Sequence, residues 1–300
     1  MTVIAKELPA ETASGSAFLA LMPGIFVVLW STGFIGAKYG LPYAEPLTFL
    51  TLRFSLVAAI MLVVSLLRGA AWPASWRALG HTALVGILIQ ATYLGGVFYA
   101  IAHGISAGMA ALIAGLQPLI TAGLAGALLG EAVAARQWLG FALGLIGLAL
   151  VLWGRVTVDA HHLAALAAVI AAPFGMALGT LYQKRFCAAV DLGSATVIQN
   201  ATAGLLMLAL ALAGETMHID WQIDFVLALV WLCLVLSLGA TMLLLFLLRR
   251  GAASRIASLF YLVPPVTACM AYALFGETLG ATALVGMAVT ALGVALVNRG

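Results

Sequence analysis

Residues 106–131 read SAGMAALIAGLQPLITAGLAGALLGE, an apolar run without a charge until its closing Gly-Glu pair. Residues 254–277 read SRIASLFYLVPPVTACMAYALFGE and end in the same pair. The two endings are offset by 146 residues, and the same offset aligns Pro118 with Pro264. Further matches at this offset are Gly33 with Gly179, Lys38 with Lys184, Gly140 with Gly286, and residues 147–151 with 293–297. The sequence therefore predicts an internal duplication.

The composition excludes a water-soluble protein. Of the 300 residues 65% are hydrophobic and only 8% are charged, and the mean hydropathy is +1.18. A soluble domain is about half apolar and about a quarter charged. A soluble enzyme, a disordered chain and a nucleic-acid binder are therefore excluded, the last also because the net charge is only +3. The three cysteines show no CxxC spacing, so we expect no disulfide framework, no metal site and no cofactor.

The apolar runs have the length of membrane-spanning helices. A bilayer core about 30 Å thick requires roughly 20 apolar residues of helix. Charged, Gly and Pro clusters divide the sequence into ten such runs, near residues 17–38, 46–67, 77–99, 104–129, 135–153, 162–182, 194–213, 225–248, 255–275 and 280–297. No run alternates polar and apolar residues as a strand would, and open backbone cannot face lipid, so the prediction is an all-α polytopic membrane protein.

The basic residues set the orientation. Between the predicted spans, ten Lys and Arg residues fall on one side and only Lys38 and Arg155 on the other. The side richer in Lys and Arg is cytoplasmic in most membrane proteins. We therefore expect both termini in the cytoplasm, with residues 1–16 as a polar N-terminal tail. The run from residue 17 lacks a cleavage pattern and is interpreted as a retained helix.

Each copy of the duplication contains five predicted spans, in residues 17–154 and 161–299. An odd number of spans makes the second copy enter the membrane from the opposite side, so the two repeats are inverted. Inverted repeats around a site at the bilayer midplane are typical of secondary transporters, because exchanging the conformations of the two halves opens the site alternately to either side. The pattern thus favours a transporter over an enzyme.

These features resemble the drug/metabolite transporter superfamily of the EamA type. The resemblance is carried by the duplicated five-span units, by residues 106–131 and 254–277, and by the stretches 140–153 and 286–298 that follow them. Trp30-Ser31-Thr32-Gly33-Phe34 and Arg53 in the second span also fit. Within the superfamily the chain is similar to the YddG-type bacterial exporters of aromatic amino acids and methionine. The resemblance implies ten spans and export of small organic solutes across the inner membrane.

Polar and aromatic residues inside spans are expected to face a shared cavity. In the first span Trp30, Phe34 and Lys38 share one helical face. The matching stripe in the sixth span comprises Met176, Thr180 and Lys184, beside Tyr182 and Gln183. Trp30 is expected to stack on an aromatic side chain or to hold an ammonium. Lys38, near the outer mouth, is expected to attract a carboxylate; the alternative is that both lysines extend to the membrane interface.

Other spans add candidates for the cavity and for gating. The third span has two alternative inward faces, Gln90 with Tyr93, or Thr92 with Tyr99 and His103. The fourth and ninth spans contribute Met109, Gln117 and Tyr261. The gating candidates are Pro118, Pro173, Pro264 and Pro265. A proline removes an N–H, which kinks a helix and frees a carbonyl for a substrate ammonium. The alternative is that these prolines are only packing kinks.

The charged residues in and beside the spans are expected to be structural. Arg53 is the only charge deep in a span. It either binds a substrate carboxylate or hydrogen-bonds carbonyls and stiffens the bundle, and the resemblance favours the second role. Glu131 and Glu277 fall at helix ends, where a carboxylate is placed to cap the N-terminus of the next helix. No Asp or Glu lies in mid-membrane, which favours facilitated export over proton antiport.

The sequence therefore predicts a bacterial inner-membrane exporter of aromatic and other apolar amino acids, including methionine. Its expected partners are this small-molecule substrate and the lipid bilayer, without nucleic acid; the oligomeric state is not indicated. Alternatives are export of drugs or cationic metabolites, nucleosides, threonine-like amino acids or lipid-linked sugars. An alternative of another class is an intramembrane serine hydrolase, since residues 104–108 match G-x-S-x-G around Ser106. That motif requires a strand-to-helix turn, whereas here it opens a helix.

Overall fold

The computed structural model describes residues 13–129, 135–152, 160–241, 243, 258–278 and 280–298. Most of these residues are helical, and none of them forms a β-strand. In chain order the helices are α1 (Ala13–Gly40), α2 (Pro46–Leu67), α3 (Trp76–Ala102), α4 (Ala107–Ala114), α5 (Gln117–Leu129), α6 (Ala135–Leu152), α7 (Ala160–Phe186), α8 (Leu192–Gly214), α9 (Ile223–Ala240), α10 (Val263–Phe275) and α11 (Ala281–Asn298). Short 3₁₀ helices cover Leu41–Tyr43 and Ser258–Leu262.

Six of the described helices, α1, α2, α3, α7, α8 and α9, are long and apolar enough to cross a membrane. Four shorter apolar helices lie in α4–α5, α6, α10 and α11. Large apolar side chains such as Leu67, Leu205 and Leu212 are exposed on the outer faces of these helices. A hydrocarbon environment accommodates such surfaces, and helices satisfy their own backbone groups within it. The chain is therefore a polytopic helical membrane protein.

The predicted fourth span is interrupted. α4 ends at Ala114 and α5 begins at Gln117, with a turn at residues 115 and 116 between them. The offset of 146 residues places the end of the second 3₁₀ helix, just before α10, at the equivalent point. In both halves a proline, Pro118 or Pro264, follows within the first turn of the new helix. Proline is tolerated there because the first N–H groups of a helix have no partner within it.

Two helices contain π-helical segments, Ile87–Leu94 in α3 and Trp231–Ala240 in α9. The offset brings the first segment onto the second. In each segment a hydroxyl donates to the carbonyl five residues earlier, at 3.0 Å for Thr92 and 2.9 Å for Ser237. Long π segments are rare and occur mostly at functional sites. The two helices α3 and α9 are therefore irregular at positions that are equivalent in the duplication.

The helices pack in a pattern that the offset preserves. α2 packs on α8, α4 on α10 and α6 on α11, and the contact of α1 with α9 has its equivalent in the contact of α7 with α3. A β-carbon on Gly293 would lie 2.6 Å from the Gly140 carbonyl oxygen, and one on Gly147 would lie 2.7 Å from the Gly286 carbonyl oxygen. These two contacts are equivalent to each other. Glycine is required at both because the backbones of α6 and α11 touch.

Reciprocal capping joins the two halves at the Lys38 end of the molecule. The Glu215 carboxylate, after α8, accepts hydrogen bonds from the backbone N–H and hydroxyl of Thr48 in the first turn of α2, both at 2.7 Å. The Glu45 carboxylate, before α2, accepts from the backbone N–H of Thr216 at 2.8 Å and from its hydroxyl at 2.7 Å. Each half therefore supplies a carboxylate to backbone groups of the other, and the two loops are held together.

Candidate functional site

A cavity lies among α1, α3, α4, α5, α7 and α10. Its described lining is mostly apolar and aromatic and includes no charged side chain. The lining residues are Trp30, Phe34, Tyr93, Ala111, Ala114, Gly115, Gln117, Pro118, Met176, Phe260, Val263 and Pro264. Small-molecule sites are typically concave and mostly apolar, with a few polar groups. This cavity is the candidate site.

Eight of the twelve lining residues are equivalent pairs under the offset of 146 residues. The pairs are Trp30 with Met176, Ala114 with Phe260, Gln117 with Val263 and Pro118 with Pro264. Neither half of the duplication therefore contains the cavity alone. Apart from the two prolines, the members of a pair differ in size or polarity, so the two halves contribute different chemistry from matching places.

The cavity lies about halfway along the bundle. Trp30 is ten residues from the end of α1 at Gly40, and Gln117 is ten residues from the start of α4 at Ala107. At ~1.5 Å per residue both are about 15 Å from the Lys38 end. Half of a bilayer core about 30 Å thick is the same length. The site therefore lies near the depth of a bilayer midplane.

The helix interruptions border this cavity. A proline lacks the N–H that would bond to the carbonyl of the residue four positions earlier. For Pro118 that residue is Ala114, and for Pro264 it is Phe260, and both line the cavity. Neither carbonyl receives a bond from the proline, and both halves therefore place a helix interruption at the cavity wall. Interrupted helices of this kind form the binding sites of many transporters.

An aromatic cluster forms one wall. The Trp30 and Phe260 rings meet edge to face, with centroids 5.2 Å apart and planes at 81°. Phe26 contacts both, at 5.4 Å from Trp30 and 5.3 Å from Phe260. Aromatic pairs in this geometry contribute about 0.5–1.5 kcal/mol beyond the burial of their surface. The wall is therefore a firm apolar surface on which a flat or thioether side chain can pack.

Lys38 does not face this cavity. Its ammonium forms an ion pair with the Glu277 carboxylate and lies 5.3 Å from the centroid of the Phe275 ring. Glu277 also accepts from the backbone N–H groups of Ala107 at 3.4 Å and Gly108 at 3.5 Å. Glu277 thus caps α4, in the other half of the duplication, and not the helix that follows it, which corrects the expectation from sequence. The carboxylate expected to bind Lys38 is supplied here by the protein itself.

The other predicted residues lie at varied distances from the cavity. Pro173 and Met109 are buried in α7 and α4 without lining it, and Pro265 lines a second, apolar cavity beside α11. Gln90 is not among the lining residues, and Tyr99 stacks on His103 with centroids 4.0 Å apart. Thr180, Tyr182 and Gln183 also lie elsewhere; the Tyr182 hydroxyl is 2.6 Å from His81 Nδ1. The side chain of Tyr261 and the whole of Glu131 fall outside the described residues.

Sequence reasoning omitted five lining residues, Ala111, Ala114, Gly115, Phe260 and Val263. Two of them carried a usable signal. Val263 and Phe260 are the offset equivalents of Gln117, which was a candidate, and of Ala114, four residues before Pro118. Applying the offset to every candidate would have identified Val263.

Ser106 of the G-x-S-x-G match has a local structural partner. Its hydroxyl accepts a hydrogen bond from the Met109 backbone N–H at 3.2 Å, which makes it the N-cap of α4. Serine is among the preferred residues at this position. The serine therefore begins a helix, and the strand-to-helix elbow that the hydrolase motif requires does not occur around it.

Comparison with known proteins identifies the family. The model of the EamA-like transporter family matches twice, over residues 16–153 and 163–299. The uncharacterized inner membrane transporter YedA of Escherichia coli is 27% identical, and the match covers 91% of this chain and 88% of YedA. A probable amino-acid metabolite efflux pump of Salmonella typhimurium is 30% identical, with 90% of each chain covered.

A solved crystal structure has the same fold, with a TM-score of 0.65 at 19% sequence identity. The similarity covers 93% of this chain and 96% of the other. The family matches and the named relatives indicate a transporter rather than an enzyme. Together with the apolar helices and the mid-depth cavity, they establish that this chain is a member of the EamA-like transporter family, in the drug/metabolite transporter superfamily.

Proposed function

We propose that the protein exports aromatic and other apolar amino acids, including methionine, across the bacterial inner membrane by alternating access. The observation that carries the proposal is the cavity lined by equivalent residues of the two halves. A site between two repeats can open to one side of the membrane, and it opens to the other side when the repeats exchange their conformations. The amino-acid class is also supported by the similarity to the Salmonella protein, a probable amino-acid metabolite efflux pump.

The proposed topology has ten spans, in two inverted repeats covering residues 17–154 and 161–299, with both termini in the cytoplasm. It is supported by the excess of Lys and Arg on one side and by the helix contacts that the offset preserves. In this orientation the Lys38 end is periplasmic. The Lys38–Glu277 pair and the Glu45 and Glu215 caps then close that end, so the structure corresponds to a state closed toward the periplasm.

The lining of the cavity favours a solute without net charge. Trp30, Phe34 and Phe260 offer apolar surface to an aromatic or thioether side chain. Tyr93 and Gln117 offer hydrogen bonds to an ammonium. Moving an unpaired charge from water into such surroundings costs several kcal/mol. A cationic drug would need an acidic partner, which the described lining does not supply.

Counterflow in proteoliposomes tests this function. Vesicles loaded with unlabelled phenylalanine, methionine, lysine, a nucleoside or a quaternary ammonium drug are diluted into labelled phenylalanine. Phenylalanine and methionine should drive uptake of the label, and the other solutes should not. The measurement is repeated with and without a pH gradient, and facilitated export predicts no acceleration by the gradient. The absence of label uptake in vesicles loaded with phenylalanine would refute the amino-acid assignment.

A further inference from the structure

We infer that Arg53 is an anion-binding site, which takes the carboxylate of the transported solute. This inference rests on the proposed function for the identity of the solute but not for the site itself. Arg53 lies in α2, seven residues after its start at Pro46. The sequence favoured a structural role in which its guanidinium bonds backbone carbonyls. The contacts observed in the described residues point to a different role.

The guanidinium of Arg53 is buried and largely without partners. The residue is 2% exposed, and the one hydrogen bond that its guanidinium makes in the described part of the chain runs from Nη2 to the Ser237 hydroxyl at 3.2 Å. Among the same residues Nε and Nη1 have no hydrogen-bond partner. The cation lies 5.7 Å from the centroid of the Phe98 ring. Whichever hydrogen Nη2 directs to Ser237, one edge of the guanidinium keeps two parallel N–H donors free.

The described residues offer this cation no acidic partner. The described Asp and Glu residues lie in loops or at the ends of helices. A buried charge that is neither paired nor fully hydrogen-bonded is strongly destabilising. Charged residues retained inside membrane spans mark ligand or ion pathways for this reason. The free edge of an arginine matches a carboxylate in geometry as well as in charge, since two N–H groups meet two oxygens.

Arg53 is close to the cavity without lining it. Tyr93, which does line the cavity, is near enough to Arg53 for the two groups to interact electrostatically. The backbone of Arg53 is about 10 Å along α2 from the Lys38 end, at ~1.5 Å per residue, but its guanidinium extends to Ser237, fourteen residues after the start of α9 at Ile223. The charged group therefore lies at about the depth of the aromatic wall. An amino acid with its ring on Trp30 and its carboxylate toward Tyr93 would direct that carboxylate to the Arg53 side of the cavity.

The two π segments flank this route. Tyr93 belongs to the segment in α3, and Ser237, the acceptor for Arg53, belongs to the segment in α9. In the present conformation the guanidinium is enclosed, so the carboxylate reaches it when the side chain of Tyr93 moves. The role assigned by sequence to Lys38 thus passes to Arg53, because Lys38 is already paired with Glu277.

Ligand stabilisation of the purified protein tests the site independently of transport. Benzoate and benzamide have the same ring and differ in the carboxylate. Benzoate should raise the unfolding temperature of the wild type and of the control Ser65→Ala, a buried residue on the same helix, but not that of Arg53→Gln. Benzamide should act equally on all three proteins. The absence of a carboxylate-specific shift in the wild type, or its persistence in Arg53→Gln, would overturn the anion site.

Counterflow with phenylalanine and phenylalaninamide then tests its use in transport. Hydrogen bonds to charged groups correspond to a change of about 10–100-fold in affinity. Arg53→Gln should raise the half-saturation concentration of phenylalanine by that factor and change that of phenylalaninamide by no more than about twofold. For Arg53→Lys the half-saturation concentration of phenylalanine should lie between those of the wild type and Arg53→Gln. Equal losses for both ligands would show a structural role and refute the proposal. A benzoate shift without any amino-acid counterflow would refute the proposed function and leave the anion site standing.

Discussion

Removing the charge of Glu277 should open the Lys38 end of the molecule. In Glu277→Gln the ammonium of Lys38 loses its ionic partner, and the N-terminus of α4 loses the negative charge beside it. The side chain of Glu277 is 11% exposed and that of Lys38 33%. Hydrogen bonds to charged groups contribute about 1.5–3 kcal/mol when buried, and exposed ion pairs about 0–1 kcal/mol. For this half-buried pair we take about 1.5 kcal/mol, which is roughly tenfold in the ratio of open to closed molecules.

The accessibility of the cavity measures this ratio. A single cysteine replaces Ala111 at the cavity wall, in a background where Cys187, Cys233 and Cys269 are changed to alanine. A membrane-impermeant maleimide is added on the Lys38 side of oriented vesicles. Its rate of reaction should rise about tenfold in Glu277→Gln, in proportion to the open population.

Two controls separate the ion pair from a general loosening. Asp220→Asn makes the same change from acid to amide at the same end of the molecule, on a side chain whose described partner is the neighbouring Gln222, and should leave the rate unchanged. The exchange Lys38→Glu with Glu277→Lys should return the rate partly toward the wild-type value, since the pair is restored but the cap of α4 is reversed. An unchanged rate in Glu277→Gln, or an equal rise in Asp220→Asn, would refute the reasoning.

Three further predictions follow from the contacts. Trp30→Ala removes one ring of the aromatic wall and should raise the half-saturation concentration of phenylalanine in counterflow about 3–10-fold, with a smaller effect on alanine. Gly293→Ala places a β-carbon 2.6 Å from the Gly140 carbonyl oxygen and should lower stability by about 1–3 kcal/mol, measured as a lower unfolding temperature in detergent. Glu215→Gln weakens the hydrogen bonds that the carboxylate accepts from Thr48 at the start of α2, and should lower the free energy of unfolding by about 1 kcal/mol in the same assay. An unchanged unfolding temperature would contradict the capping role.

The duplication made part of the site predictable from sequence. Because two copies of one fold keep their spacing, the offset alone relates Trp30 to Met176 and Pro118 to Pro264, and the structure brings all four to one cavity. Hydropathy gave the class of protein, since 65% hydrophobic residues leave no soluble alternative. Both signals depend on composition and spacing, which can be read directly from the sequence.

Other features could not be read from the sequence. The partner of Lys38 is Glu277, 239 residues away, and no local pattern indicates which distant carboxylate a lysine meets. The π segments were also missed, because a uniformly apolar helix shows no periodicity from which a change of turn could be detected. The helix interruption at Gly115 could not be predicted either, since glycine is frequent throughout these helices. Each of these features depends on the packing of distant parts of the chain, which no local sequence pattern indicates.

The unequal pairs that surround the cavity have a kinetic consequence. The equivalent of Trp30 is Met176, and the equivalent of Gln117 is Val263. Exchanging the conformations of the two halves therefore does not reproduce the same cavity wall. In the proposed cycle the empty carrier therefore has two resting states of different free energy. Microscopic reversibility forbids such a carrier from changing the final distribution of a solute when no other gradient is coupled to it. It still permits different saturation constants on the two faces, so influx and efflux measured separately should be asymmetric although their ratio at equilibrium is fixed.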